Sequence, residues 1–443
     1  MKILVIHQFY LMPGQSGGSR FNEFARMWTE AGHQVTVIAG TVHYATGERP
    51  ERYRGKWITR EKDGRVSVWR CHVPDTYRHP HGPGSQGNFR GRMWAFFGFT
   101  LSAATAALLE RDADVVIATS PPLIAPIPGW VAARLRRKSA QLIFEIRDLW
   151  PESAVTTGVL SERSPLTRLL YQLERWACRT ADKINVLTPA FEEDLIRRGL
   201  ASHEKIVFVP NGADLAIFAP GPRDNLVRAQ AGWDDRFVVL YCGAHGRANA
   251  VRQLLDAAER LRDRPDILIA TVGDGPERRE LNDEISRRGL TNVIMHGPQP
   301  KERMSEWVNA CDVGAAVLQN NPTFKTVYPN KIFDYMACAR PILLAIDGVA
   351  RKLVCDDAQA GVFSPPEDGP ALAETIRRLA DAPQLRAELG ARGRTWVLAN
   401  ATREALAERY LGVMQEGPRP SSLRRGWSAL AQRIVGWKTE KGR

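Results

Sequence analysis

Short apolar runs recur along the chain, each closed by a turn carrying glycine or proline and followed by a segment with helical spacing. KILVIHQF reads as a strand buried on both faces, FNEFARMWTEAGH places Phe21, Phe24, Ala25 and Trp28 on one helix face, and QVTVIAG is a second strand. A strand–helix–strand unit of this kind requires a parallel sheet covered by helices. DVVIATSPP, QLIFEIRDLWPE, KINVLTPA and KIVFVPNGAD continue the series. FVVLYCG starts a second one, followed by ILIATVGDG, NVIMHGPQP, ACDVGAAVL, PILLAI and AGVFSPP. The pattern predicts an α/β chain of two Rossmann-like domains joined near residues 208–220. The expected divisions are 1–208, 209–395, a helix over 396–416 crossing back to the first domain, and a tail over 417–443.

Three stretches depart from this rhythm. Residues 41–92, rich in Arg, His, Tyr and Gly, are expected to be irregular and functional, being too long for an ordinary connection. Residues 93–111 predict a long apolar helix. Its run of about 17 apolar positions is at the short limit for a membrane span and is interrupted by Thr100, Ser102 and Thr105, so a helix of the first domain with an aromatic start at lipid headgroups is expected instead. In the tail, Leu423, Trp427, Leu430, Ile434 and Trp437 follow helical spacing among Arg424, Arg425, Arg433 and Lys438. That pattern suits a helix lying in a membrane interface, or one docked on the protein.

At 443 residues, 44% hydrophobic and 25% charged, the chain suits two globular domains rather than a disordered or membrane-embedded body. The six cysteines form no CxxC pair and read as small core residues in a reducing compartment. MKILVIHQFY enters a strand directly, without signal-peptide architecture, so a cytoplasmic location is expected. The net charge of +12 is uneven: +7 in residues 1–100, +1 in 101–210, −2 in 211–416 and +6 in 417–443. Basicity confined to the two ends points to an anionic surface met by the first domain and the tail. No zinc finger or RNA-recognition signature favours nucleic acid as that partner.

The most informative segment is FKTVYPNKIFDYMA, residues 324–337, set between two predicted strands. A helix beginning near Asn330 presents unpaired N–H groups and a partial positive charge, Lys331 adds a full one, and Asp334 can accept from a ribose diol. These are the parts needed to hold a nucleoside diphosphate. Gly14, Gly17, Gly18 and Ser19, with Arg20, form a turn whose backbone can approach an anion, although the spacing is not that of a dinucleotide-binding loop. Gly243, Gly246 and Arg247, then Gly273–Gly275, then His296 and Gly297, end successive strands on the edge where open α/β sheets bind ligands. Glu145, Arg147, Asp148 and Glu152 cluster after QLIF, either as an ion network shaping the loop or as a hydroxyl-binding group.

The set PGQSGGSR, TSPP, EIRDLWPE, VPNGADLAIFAP, VGDGPERREL, NVIMHGPQP and PNKIFDYMACARPIL, in this order, resembles the retaining glycosyltransferases of family 4, and within them the fucosaminyltransferase-like branch of bacterial surface-polysaccharide assembly. The resemblance implies the GT-B fold: two Rossmann-like domains with parallel sheets facing a central cleft, and a C-terminal helix crossing back. It implies a UDP-sugar donor bound without metal or cofactor. Asp334 would hold the ribose, Tyr328, Pro329, Asn330 and Lys331 the diphosphate turn, and Arg247 and Gly246 the phosphate loop. His296 and Gly297 would read the uracil, and Gly17, Gly18 and Ser19 would face the donor. Lys331, Arg247 and Asp148 would carry catalysis. Ser120, Arg147 and Glu152 would meet the acceptor, a polyprenyl-diphosphate-linked or other lipid-linked saccharide, at the inner face of the plasma membrane. The family's carboxylate eight residues before Asp334 is here Thr326, which leaves the sugar contacts to Lys325, Tyr328 or Asn330. A nucleotide-sugar epimerase, a phosphorylase or a non-catalytic UDP-sugar-binding subunit are the other readings.

Overall fold

The structure is a computed structural model that describes residues 1–13, 15, 17–42, 49–74, 89–110, 112–135 and 139–417. The amphipathic tail, Gly14 of the glycine-rich turn and part of the 41–92 segment lie outside the described residues. Two sheets carry the molecule. The first runs β3-β4-β2-β1-β5-β6-β7-β8 and the second β11-β10-β9-β12-β13-β14. The strands are β1 (Lys2–Ile6), β2 (Gln34–Gly40), β3 (Ile58–Asp63), β4 (Val66–Cys71), β5 (Val115–Ser120), β6 (Gln141–Ile146), β7 (Lys183–Val186) and β8 (Ile206–Phe208). The second sheet has β9 (Phe237–Cys242), β10 (Ile267–Val272), β11 (Val293–His296), β12 (Val313–Val317), β13 (Ile342–Ala345) and β14 (Gly361–Phe363). Every pairing is parallel except β3 with β4. The central strands β5, β6, β9 and β10 are buried at every position, as continuous apolar runs between helical layers must be.

Within 41–92 the irregular expectation fails. Residues 58–71 form a β-hairpin closed by Gly64–Arg65, with Gly64 at φ +58°, and its second strand pairs with β2. Charged residues at Arg60, Glu61, Lys62 and Arg70 hid the strand pattern. The buried Arg70 is satisfied by Glu61 at 2.7 Å and by the Tyr10 and Leu11 carbonyls, and Arg60 lies over the Trp69 ring at 3.9 Å. Helix α1 (Arg20–Glu30) covers one face of the first sheet and helix α2 (Phe89–Leu109) the other. Among the described residues, no helix is long and apolar enough to cross a membrane.

The crossing back begins later than expected. Helix Pro383–Asn400 stays on the second domain, and Thr402 caps the helix Arg403–Gln415, which returns to the first. There Leu406, Tyr410, Val413 and Met414 join Phe24 and Trp28 in one core, and Trp28 Nε1 donates to the Ala407 carbonyl at 3.0 Å.

Candidate active site at the interdomain cleft

The second domain presents a floor of backbone. The turns after β9 and β10 are stacked so closely that a Cβ on Gly273 (φ +147°) would lie 1.9 Å from the Gly243 carbonyl oxygen, and one on Gly275 would lie 2.5 Å from that of His245. His245 N donates to Asp274 O, and Glu277 N to His245 O, both at 2.9 Å. The His245 ring is turned inward to Thr271 Oγ1 at 3.0 Å. Burial, with Arg278 and Lys331 nearby, lowers its pKa to about 4, so it is neutral at pH 7.

Helix Asn330–Ala337 stands beside this floor, with Pro329 as its uncapped entry. Tyr335 fixes it. The Tyr335 hydroxyl bonds the Leu240 and Ala315 carbonyls at 3.1 and 3.2 Å and accepts from Cys242 N at 3.0 Å, and Gly314 makes room for the ring. The Lys331 ammonium thereby comes to 3.6 Å from the Tyr241 ring centre and next to Gly243. It is buried and, among the described residues, has no hydrogen-bond partner. Burial pushes its pKa down to about 7. Asp334, one turn on, is pushed up to about 7 by burial, with Lys301 and Arg403 acting against the shift and Glu23 and Asp214 adding to it.

The other predicted positions divide. Arg247 is exposed at the start of a short 3-10 turn, Arg247–Asn249, that follows Gly246. The His296 ring is not turned to the cleft: Trp233 Nε1 donates to its Nε2 at 3.2 Å and Trp307 packs against it, leaving the backbone of His296–Gly297 at the sheet edge. Tyr328 is half-buried against Phe333. The Thr326 hydroxyl donates to the Thr323 carbonyl at 2.7 Å, and Lys325 pairs with Asp347 at 3.5 Å.

From the first domain, Gly17 (φ +150°) and Gly18 carry the chain past the Arg147 guanidinium, which a Cβ on Gly18 would approach to 3.4 Å. Arg147 NH1 reaches His7 Nε2 at 3.4 Å, and His7 Nδ1 is bonded to Thr119 at 2.8 Å. Ser120 Oγ is buried and unpartnered among the described residues. Asp148 accepts from Ser153 at 3.1 Å. Burial raises its pKa against the pull of that bond, the Leu149 N–H and Arg147. Glu152 is taken up by the Tyr171 hydroxyl at 2.5 Å. Arg20, expected to add charge to the turn, is instead spent on Glu145 at 3.1 Å and on the Val209 and Pro210 carbonyls beneath it.

One cluster escaped the sequence reading. Lys301, from the loop after β11, reaches across to Ser19 and Glu23 on α1, and Arg403 pairs with the other oxygen of Glu23. Asp214 lies 3.8 Å from Lys301. Burial would raise the Glu23 carboxyl, but Arg403 and Lys301 hold it down at about 2. The available signal was Glu23 itself, a charge flanked by Phe21 and Phe24 on the buried side of α1. On the far side of the cleft, Thr188 Oγ1 donates to the Thr326 carbonyl at 2.7 Å and Asn321 to the Thr156 carbonyl at 3.3 Å.

Two α/β domains with parallel sheets, and C-terminal helices that return to the first, make the GT-B architecture. Two family profiles match in tandem, a glycosyl transferase 4-like domain over residues 17–212 and glycosyl transferases group 1 over 236–382. The chain belongs to glycosyltransferase family 4, and is a retaining enzyme that uses a nucleotide sugar. It is 25% identical over 347 residues to the putative colanic acid biosynthesis glycosyl transferase WcaI of Escherichia coli strain K12, covering 76% of this chain and 81% of that one. It is 26% identical over 298 residues to the probable glycosyltransferase WbjE of Pseudomonas aeruginosa, covering 66% and 72%. Its fold matches HepE of Anabaena, solved with UDP and glucose, at a TM-score of 0.68 and 19% identity over 94% of this chain and 99% of that one.

Proposed function

We propose that this enzyme transfers a sugar, an N-acetylated or deoxy hexose, from a UDP-sugar to a lipid-linked saccharide in surface-polysaccharide assembly. One observation carries the donor side: a buried ammonium with no hydrogen-bond partner among the described residues, Lys331, stands at an uncapped helix N-terminus beside a floor of backbone amides. A diphosphate supplies what that cation lacks. One relative named for colanic acid biosynthesis supports the polysaccharide setting.

In this reading Asp334 accepts from the ribose diol, and the backbone at His296–Gly297 reads the uracil. Asn330 and Tyr328 take the sugar hydroxyls, since Lys325 is paired and Thr326 is turned into its own loop. The bond from the anomeric carbon to the phosphate oxygen breaks while the acceptor oxygen bonds to the same face of that carbon. The acceptor's proton passes to the departing phosphate oxygen, so no separate base is required. Lys331, the helix N–H groups and, from the rim, Arg247 stabilise the charge that collects on the diphosphate. Ser120, Arg147 and Asp148 hold the acceptor hydroxyl, and Glu152, through Tyr171, holds the loop that carries Asp148. The basic tail, 417–443, adds attraction to the anionic inner face of the plasma membrane. A panel of UDP-sugars offered with a polyprenyl-diphosphate saccharide, read by mass spectrometry, tests the reading. A glycosylated lipid product with retained anomeric configuration is expected, and consumption of UDP-sugar with no such product would sink it.

A further inference from the structure

Helix α2 is buried along one side and open along the other. Its inner side, including Phe99, Ala103 and Ala106, belongs to the first core, and Gly98 is so close to Pro74 that a Cβ there would lie 2.2 Å from that ring. Its outer side shows Trp94 and Phe97, each 57% exposed, and Leu101, Leu108 and Leu109, each 54% exposed. These positions fall on one face of a helix and make an apolar stripe, crossed by Thr105, whose hydroxyl donates to the Leu101 carbonyl at 3.0 Å, with the Trp94 and Phe97 rings stacked at 5.8 Å. Trp57 extends it from the β3–β4 hairpin. It stacks on His72 at 5.6 Å, and the His72 carbonyl accepts the Ser102 hydroxyl of α2 at 2.7 Å. An exposed apolar patch of this kind marks an interaction surface.

Charge identifies the occupant. Helix α2 holds no acidic residue from Phe89 to Leu109 and carries Arg90 and Arg92 in its first turn. Lys56 and Arg60 stand exposed on either side of Trp57. An anionic sheet with an apolar interior satisfies both the stripe and its cations. We propose that the outer face of α2, with Trp57, is a docking surface for an anionic lipid bilayer. Because α2 descends from the cleft edge of the sheet to the start of β5, its aromatic end brings the cleft mouth to the headgroups. The proposal deepens the lipid-linked-acceptor reading but is tested apart from it.

Flotation of the full chain on phosphatidylglycerol/phosphatidylcholine vesicles, without sugar substrates, is the experiment. The wild type is expected to float with these vesicles, and not with pure phosphatidylcholine. The Trp94→Asp/Phe97→Asp/Leu101→Asp variant is expected to bind at least about tenfold more weakly at an unchanged melting temperature. If the triple variant melts lower, Phe97→Asp alone is read the same way. A variant that floats like the wild type overturns the proposal, and so does flotation lost only on deleting residues 418–443. A wild-type dimer in sedimentation velocity that the triple variant dissociates would assign the stripe to a second copy instead. Absence of transfer to a lipid-linked acceptor would defeat the functional reading and leave the flotation result standing.

Discussion

At the scale of the residue, the fold strips Lys331 and Asp334 of water, and the proposed donor site rests on both. A buried ammonium without an acceptor is held at a cost to stability. Lys331→Met should therefore lower turnover about a hundredfold, the usual loss for a transition-state charge contact, while raising the apparent melting temperature. The sign follows from linkage: the unfolded chain binds a proton between pH 7 and 10.5 that the fold refuses. The cost is thus complete below about pH 7 and fades as pH approaches 10.5, and the melting advantage of the variant should fade with it. Binding of UDP should follow both groups. It needs Lys331 protonated and Asp334 ionised, each with a pKa of about 7 in the free enzyme, so calorimetric affinity should peak near neutrality and fall on both sides. Lys331→Met should lose the alkaline limb and keep the acid one; an unchanged profile would remove Lys331 from the site. The turn Pro329-Asn330-Lys331 was legible because a helix start with a cation has few other uses between two strands. Lys301 was not, since nothing along the chain shows that its partners are Ser19 and Glu23 of the other domain.

At the scale of the element, the edge proposed to meet the diphosphate is made by glycines whose partners are other backbone atoms. Gly273→Ala would force a methyl into the Gly243 carbonyl in a left-handed backbone, and should destabilise the second domain by on the order of 2–4 kcal/mol. Thermal unfolding would show this as an early transition, and a melting curve like the wild type's would mean that the two turns separate easily. Most strands could be read from the sequence because a strand buried on both faces has only one kind of residue to offer. The β3–β4 hairpin could not. It is an edge element whose charges are neutralised by Tyr10, Glu61 and Trp69, neighbours that only the folded sheet supplies.

At the scale of the whole molecule, the helix Arg403–Gln415 makes the first domain's core depend on the last residues of the described chain. Ending the chain at residue 402 removes Leu406, Tyr410, Val413 and Met414 from that core, at roughly 1.5–3 kcal/mol for each large side chain. Such a chain should fail to give folded, soluble protein, whereas deleting only residues 418–443 should leave the melting temperature unchanged. Equal melting of both shortened chains would show that the return helix is dispensable. By itself the sequence determined the two α/β series, the helix start at Asn330 and the uneven charge, because each is a local pattern of burial, turn chemistry or count. Only the tertiary structure decided which charges stay free for chemistry. Arg20, Glu152 and the His296 ring are taken up by partners that folding brings to them, while the Lys331 ammonium, over the Tyr241 ring, has no hydrogen-bond partner among the described residues, since satisfaction of a polar group depends on what folding brings within bonding distance.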